Sequence, residues 1–390
     1  MGGDRAPASD GRHGWNITLG TRPSAGVRAD GFGGRLRRIG NGQPLAPAFG
    51  IRRDSGMANP RSEPQRAAIT GVAIYVPERV LTNAELARKL DTSDEWIVTR
   101  TGIRERRIGG PGETTSTMGT EAVRRLMSQR GLGPDDVDAV IVATVTPDML
   151  FPATACLIQD QLGLTRAWGF DLSAACSGFL YALTAGAQLV ATGAHRRVVV
   201  VGADLMSSII DPLDRTTAVL FGDGAGAVLL EAAEMGYGIM DFHHRVDGSG
   251  RNDLLMPAGG CLLPPSSATI AARQHFLKQN GKVVFKFAVS QMVGSVQLLL
   301  ARHGLTPADI ALVVPHQANQ RILDAVGERL GLPPERVASV LACYGNTTGA
   351  TLPLALDGAL TAGKIKRGDL VVFAAVGAGF TAGATLVRWS

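Results

Sequence analysis

Apolar and polar positions along this chain fall into two regimes. Up to Arg66 they show no sustained period. From residue 67 onward, short β-branched apolar runs alternate with stretches of helical period. The runs AAITGVAIYVP (67–77), DAVIVATV (138–145), RRVVVVGAD (196–204), GAVLLE (226–231), ALVVPH (311–316), DLVVFAAVG (369–377) and GATLVRW (383–389) read as strands. The segments 118–130, 176–191, 285–302 and 317–330 carry apolar residues at helical spacing and read as helices. Alternation of this kind predicts α/β layers around buried sheets.

One stretch occurs twice. GLGPDDVDAVIV at 131–142 matches GLTPADIALVV at 304–314, an offset of 173 residues. In each, a helix-ending Gly-Leu leads through a Pro and an Asp into an apolar strand. The body is therefore expected to be two similar α/β halves, 67–235 and 236–390, packed about a pseudo-dyad.

Composition changes the picture at one end only. Residues 1–66 hold eleven Arg, no Lys and five acidic residues, with many Gly and Pro. That leader is expected to be disordered, and Met57 reads as an alternative start. The remaining 28 basic and 29 acidic residues nearly balance, so the net charge of +5 belongs to the leader and no nucleic-acid-binding body is expected. The four cysteines (Cys156, Cys176, Cys261, Cys343) are far apart with no CxxC pair. A disulfide framework and a zinc site are not expected, and a reducing, cytoplasmic setting is. No apolar run is expected to approach the roughly 18 residues needed to span a bilayer, so no membrane partner is expected.

Candidate chemistry begins at FDLSAACSGFLYAL (170–183), where a strand-like run gives way to a helical one at Cys176. A small core residue suits such a corner. So does a nucleophile, because a helix N-terminus favours a thiolate. The stretch alone leaves both open. His316 ends the strand ALVVPH, and Asn346 lies in CYGNTTGAT, three residues before Gly349, the position that the 173 offset pairs with Cys176. All three then fall at the C-terminal edges of strands or in loops leaving them, where α/β sheets carry their sites. GDGAGA (222–227) imitates a dinucleotide fingerprint, but a strand follows it where that motif needs a helix.

DTSDEWIVTRTGIRERR (91–107), FDLSAACSGFLYAL, DRTTAVLFGDGAGAVLLE (214–231), VVPHQANQRI (313–322), YGNTTGAT (344–351) and GAGFTAGATLVRW (377–389) together resemble the thiolase-fold condensing enzymes. The resemblance is strongest to the β-ketoacyl-[acyl carrier protein] synthase III family, which starts fatty acid synthesis. It implies a thiolase-like fold in α-β-α-β-α layers and a homodimer. It matches Cys176, His316 and Asn346 to the family's nucleophile, histidine and asparagine. The implied reaction joins an acyl-CoA primer to malonyl-[acyl carrier protein] through an acyl-cysteine, with decarboxylation supplying the carbon nucleophile. Backbone N–H groups of Cys176 and Ala378 are the implied oxyanion donors, and neutral donors on His316 and Asn346 would stabilise the enolate. No metal or redox cofactor is implied, because coenzyme A arrives as a thioester substrate.

The resemblance also assigns Trp96, Arg100, Arg215 and Asn319 to coenzyme A binding, and Phe151 and Met206 to the acyl pocket, Phe151 acting across a subunit boundary. Lys282, Lys286, Arg321 and Arg329 are candidates for docking an acidic carrier protein, although Asp324 and Glu328 interrupt that patch. The alternative is an acyltransferase of the same fold that passes the acyl group to an oxygen or nitrogen acceptor. Asn346 argues against it, since only condensation needs a donor to an enolate.

Overall fold

A computed structural model describes residues 65–390, so nearly all of the proposed leader lies outside the described residues. Two sheets form the body. In the first, the strands run in the order Ala67–Tyr75, Gly224–Ala232, Val198–Asp204, Ala139–Ala143 and Trp168–Leu172. The first two junctions are antiparallel and the last two parallel. In the second, the order is Gly238–Val246, Thr381–Arg388, Leu370–Gly377 and Leu312–Pro315, again with two antiparallel junctions followed by a parallel one. Val337 adds a single parallel bridge beside Val313, where the first sheet has its fifth strand. The two sheets thus repeat one topology.

The near-continuous apolar runs follow from burial on both faces. Along Ala139–Ala143, Ile141 points to a core shared with the second sheet, while Val140 and Val142 point outward to the helix Thr115–Arg130. Leu312 and Val314 reach the same shared core, and Val313 faces the opposite side with the helices Gly281–Arg302 and Gln320–Leu330. Between the sheets lie the helices Gly178–Ala191 and Thr351–Thr361, whose Phe179, Leu180, Leu183, Leu352 and Leu356 fill that core. The result is the expected α-β-α-β-α layering.

The sheet contacts come close at one glycine. A Cβ on Gly202, in the strand Val198–Asp204, would stand 2.2 Å from the Gly349 carbonyl oxygen. Only a residue without a side chain lets that strand meet the loop after Asn346.

Two expectations need amendment. The helix Gly281–Arg302 is, by length and composition, long and apolar enough to cross a membrane, contrary to the sequence reading. Here it is a layer of the fold, with Ala288, Met292, Val296 and Leu299 buried against the second sheet. The strand Gly238–Val246 was absent from the predicted set. It is an edge strand, GIMDFHHRV, only partly buried over most of its length, so its polar text hides the strand pattern.

Candidate active site

Cys176 sits in a short 3-10 turn, Ala175–Ser177, that runs into the helix Gly178–Ala191. The turn requires a left-handed backbone at Ala175, φ 48°. The equivalent turn of the second half, Thr348–Ala350, requires the same at Thr348, φ 50°, again 173 residues on. Strand ends complete the corner. His316 follows the strand Leu312–Pro315 directly, and the strand Leu370–Gly377 ends against Cys176. A Cβ on Gly377 would lie 2.9 Å from the Cys176 backbone nitrogen and 2.7 Å from the Ala174 carbonyl oxygen. Ala378 follows at once.

Cys176, His316, Asn346 and Ala378 line one cavity of about 250 Å³. Three residues from distant stretches of chain, and a fourth from the C-terminal loop, are thus brought together. Apolar side chains make most of the remaining wall, among them Met206, Ile209, Leu220, Phe221 and Leu277. Phe287 and Phe380 stack at 4.4 Å between ring centroids and line another part.

Asn346 is held by its backbone across the two halves. Its N–H donates to the Leu220 carbonyl at 2.9 Å, and its carbonyl accepts from the Gly222 N–H at 3.1 Å. Its side-chain Oδ1 accepts from the Thr348 N–H at 2.9 Å. That bond fixes the amide with its Nδ2 hydrogens left for the cavity. His316 is oriented through Nδ1, which lies 2.7 Å from the Thr351 hydroxyl. Nε2 is left as the nitrogen facing the cavity.

The electrostatics differ from the expectation for a helix N-terminus. Burial pushes the Cys176 thiol up to about 12, and the buried Asp204 carboxylate adds to the rise. The Cys176 N–H and the Thr348 hydroxyl act in the opposite sense. A rise of that size corresponds to about 4 kcal/mol against the thiolate, whereas a helix terminus supplies at most about 2 kcal/mol. Burial wins, and the resting group is a thiol. Burial likewise pushes His316 down to about 3, so its imidazole is neutral.

That value carries a stability consequence. The unfolded histidine titrates near its ordinary value of 6.5, while the folded one resists protonation until about 3. Stability from this group is therefore complete above about pH 6.5 and is lost as pH falls. At about pH 5 the loss is about 2 kcal/mol. Urea unfolding at neutral pH and at pH 5 checks it, with His316→Gln expected to lose less on acidification than the parent chain.

Asp204, Thr348 and Thr351 escaped the sequence reading. Asp204 ends the strand Val198–Asp204 and accepts four bonds: from the Thr144 hydroxyl, the Val145 N–H and the Thr146 hydroxyl on one oxygen, and from the Gly349 N–H on the other. It thereby ties the two halves together beside the cavity. Its place at a strand end in RRVVVVGAD was the available signal.

The other predicted residues divide. Met206 lines the cavity. Phe151 does not; it is 83% exposed beside Leu150, which is 84% exposed. The resemblance assigns it to the pocket of a partner subunit, not to that of its own chain. Trp96, Arg100 and Arg215 cluster outside the cavity, each guanidinium 4.8 Å from the Trp96 ring centroid. Asn319 lines the cavity, but its amide is engaged. Oδ1 caps the helix Gln320–Leu330 through the Arg321 N–H, and Nδ2 donates to the Arg100 carbonyl at 3.1 Å. It joins that helix to the Trp96 cluster. Lys282, Lys286, Arg321 and Arg329 are all exposed on two helices that pack together, with Arg321 5.9 Å from the ring of the cavity-lining Phe285. GDGAGA leads into the strand Gly224–Ala232, and its Asp223 accepts bonds from Gly109 and Ser207 rather than facing a nucleotide site.

Comparison with known proteins supplies relatives for this arrangement. Residues 170–248 match the model of 3-oxoacyl-[acyl-carrier-protein (ACP)] synthase III, and residues 300–389 match that of its C-terminal part. A β-ketoacyl-[acyl-carrier-protein] synthase III of Solibacter usitatus is 53% identical over 328 residues, covering 83% of this chain and 99% of the relative. The crystal structure of the β-ketoacyl-[acyl carrier protein] synthase III of Thermus thermophilus is 47% identical, with a TM-score of 0.77 over 83% of this chain and 99% of that one. The priming β-ketosynthase of the R1128 polyketide pathway is 36% identical, also at 0.77, over 84% and 98%.

Proposed function

The chain belongs to the 3-oxoacyl-[acyl-carrier-protein] synthase III family, and from that premise we propose how its own residues divide the work. The protein is a condensing enzyme that initiates fatty acid synthesis. The alternative transfer to an oxygen or nitrogen acceptor is not favoured by relatives at this identity.

Cys176 attacks the thioester carbonyl of an acyl-CoA. The acyl–sulfur bond to Cys176 forms, the bond to coenzyme A breaks, and the thiol proton passes to the departing sulfur. Backbone N–H groups of Cys176 and Ala378 hold the oxyanion, a geometry supported by the close approach of Gly377 to the Cys176 nitrogen. A malonyl thioester then loses carbon dioxide. Its enolate oxygen meets the Asn346 Nδ2 hydrogens and a His316 N–H at Nε2; in that tautomer Nδ1 accepts from the Thr351 hydroxyl, whose single proton must turn from the Thr348 carbonyl that it otherwise meets at 2.9 Å. Because both donors are neutral, they do not hold back the leaving carboxylate by charge. Attack on acyl-Cys176 forms the carbon–carbon bond and expels the sulfur as a thiolate, which takes a proton from solvent to restore the thiol.

The observation that carries this reading is the convergence of Cys176, His316, Asn346 and Ala378 on one apolar cavity. No redox group or metal is needed, since decarboxylation supplies the nucleophile. The carrier protein is expected to dock at Lys282, Lys286, Arg321 and Arg329, beside the cavity mouth. The unpaired edge of the strand Trp168–Leu172 and the exposed Leu150 and Phe151 support a homodimer in which Phe151 serves the partner's pocket. A cytoplasmic location fits these substrates.

The decisive experiment is intact-protein mass spectrometry with acetyl-CoA and longer acyl-CoAs, followed by malonyl-carrier protein. A mass gain on Cys176 that clears with release of a 3-oxoacyl product supports the reading. No gain with any donor overturns it. The Trp96 cluster gives a second expectation. Arg215→Ala and Trp96→Ala raise KM for acyl-CoA by about tenfold, the effect of one lost cation–π or charge-assisted contact, with kcat little changed. Steady-state kinetics decides it.

A further inference from the structure

Thr348 has three properties that none of these roles uses. Its backbone is in the left-handed region, φ 50°, where a β-branched side chain is an outlier. Its hydroxyl is buried in a residue 2% exposed, and Oγ1 has no hydrogen-bond partner within the protein. Its side chain lines the cavity together with Cys176, and the turns Ala175–Ser177 and Thr348–Ala350 that carry the two residues pack on each other. Glycine at 348 would remove both the strain and the orphaned hydroxyl. A packing role therefore does not account for threonine.

We infer that the Thr348 hydroxyl, unpartnered in the resting enzyme, becomes a hydrogen-bond donor to Cys176 Sγ as the thiolate forms, and stabilises that thiolate during acyl transfer. This inference rests on the reading of Cys176 as the nucleophile. A neutral thiol is a weak acceptor and a thiolate a strong one, so the bond forms as the proton departs. Stabilisation is thus concentrated in the charged state rather than the resting one. The electrostatics of the sulfur agrees, since this hydroxyl acts against the rise that burial imposes. It also explains how a thiol held so high can still react.

The test is the pH dependence of Cys176 alkylation by iodoacetamide, resolved by peptide mass spectrometry because Cys156, Cys261 and Cys343 are exposed and react too. At about pH 8.5, Thr348→Val and Thr348→Gly are expected to slow alkylation of Cys176 about tenfold, a shift of about one pKa unit. Thr348→Ser is expected to stay within about twofold of the parent, because it keeps the hydroxyl. Thr348→Gly also relieves the backbone, so its melting temperature rises while its alkylation slows, which separates strain from hydrogen bonding. Parent-like rates in both Val and Gly variants would overturn the inference, as would a Ser variant as slow as the Val one. Acylation by acyl-CoA with an unchanged alkylation profile would overturn this inference alone and leave the proposed function intact.

Discussion

Cys176→Ala abolishes acyl-enzyme formation and lowers overall condensation by at least about 10⁴-fold, the scale on which losing a covalent nucleophile acts. No other described group can replace it. The remaining cysteines are exposed, away from the cavity that holds His316 and Asn346. The variant should still decarboxylate malonyl-carrier protein, because the donors to the enolate are untouched. Intact mass after acyl-CoA treatment, with carbon dioxide release measured in parallel, separates the two outcomes. Condensation at a parent-like rate in this variant would remove Cys176 from the mechanism.

Asn346→Ala divides the reaction at the other step. Acylation of Cys176 is expected to stay within about threefold of the parent, while condensation falls about 10²- to 10³-fold, the usual cost of one oxyanion donor. Asn346→Asp should fare worse in condensation, since it sets a carboxylate against a developing enolate. The structure gives a reason to trust the split. Asn346 reaches the cavity with an amide whose oxygen is already bound to the Thr348 N–H, so the free function is donation. Rapid-quench measurement of each half-reaction checks it. Equal losses in both steps would mean that Asn346 acts by holding the loop, through its backbone bonds to Leu220 and Gly222.

Much of this was legible in the residue order. The seven strands read from apolar runs are present, because a strand buried on both faces advertises itself. The 173-residue offset extends further than the matched text: the turn at Ala175–Ser177 recurs at Thr348–Ala350, and the helix beginning at Gly178 recurs at Thr351. The helix Thr351–Thr361 was hidden by Pro353 and Gly358, but a proline in the first turn forfeits no intrahelical bond. Asp204 could not be weighed from sequence, since its role lies in bonds to Thr144, Thr146 and Gly349, which are far from it in the chain. The rise of the Cys176 thiol was also beyond reach. Sequence shows the helix that favours the thiolate but not the burial that opposes it.

The seam between the halves has a consequence for when this molecule becomes active. The proposed oxyanion donors stand at Cys176 and Ala378, about two hundred residues apart, and Asn346 is pinned to the segment around Phe221. Contacts of such long range close late, because ordering must precede their reward. Until those distant segments meet, the chain holds a thiol but not the full set of groups around it, so an incompletely folded copy is expected not to consume acyl-CoA.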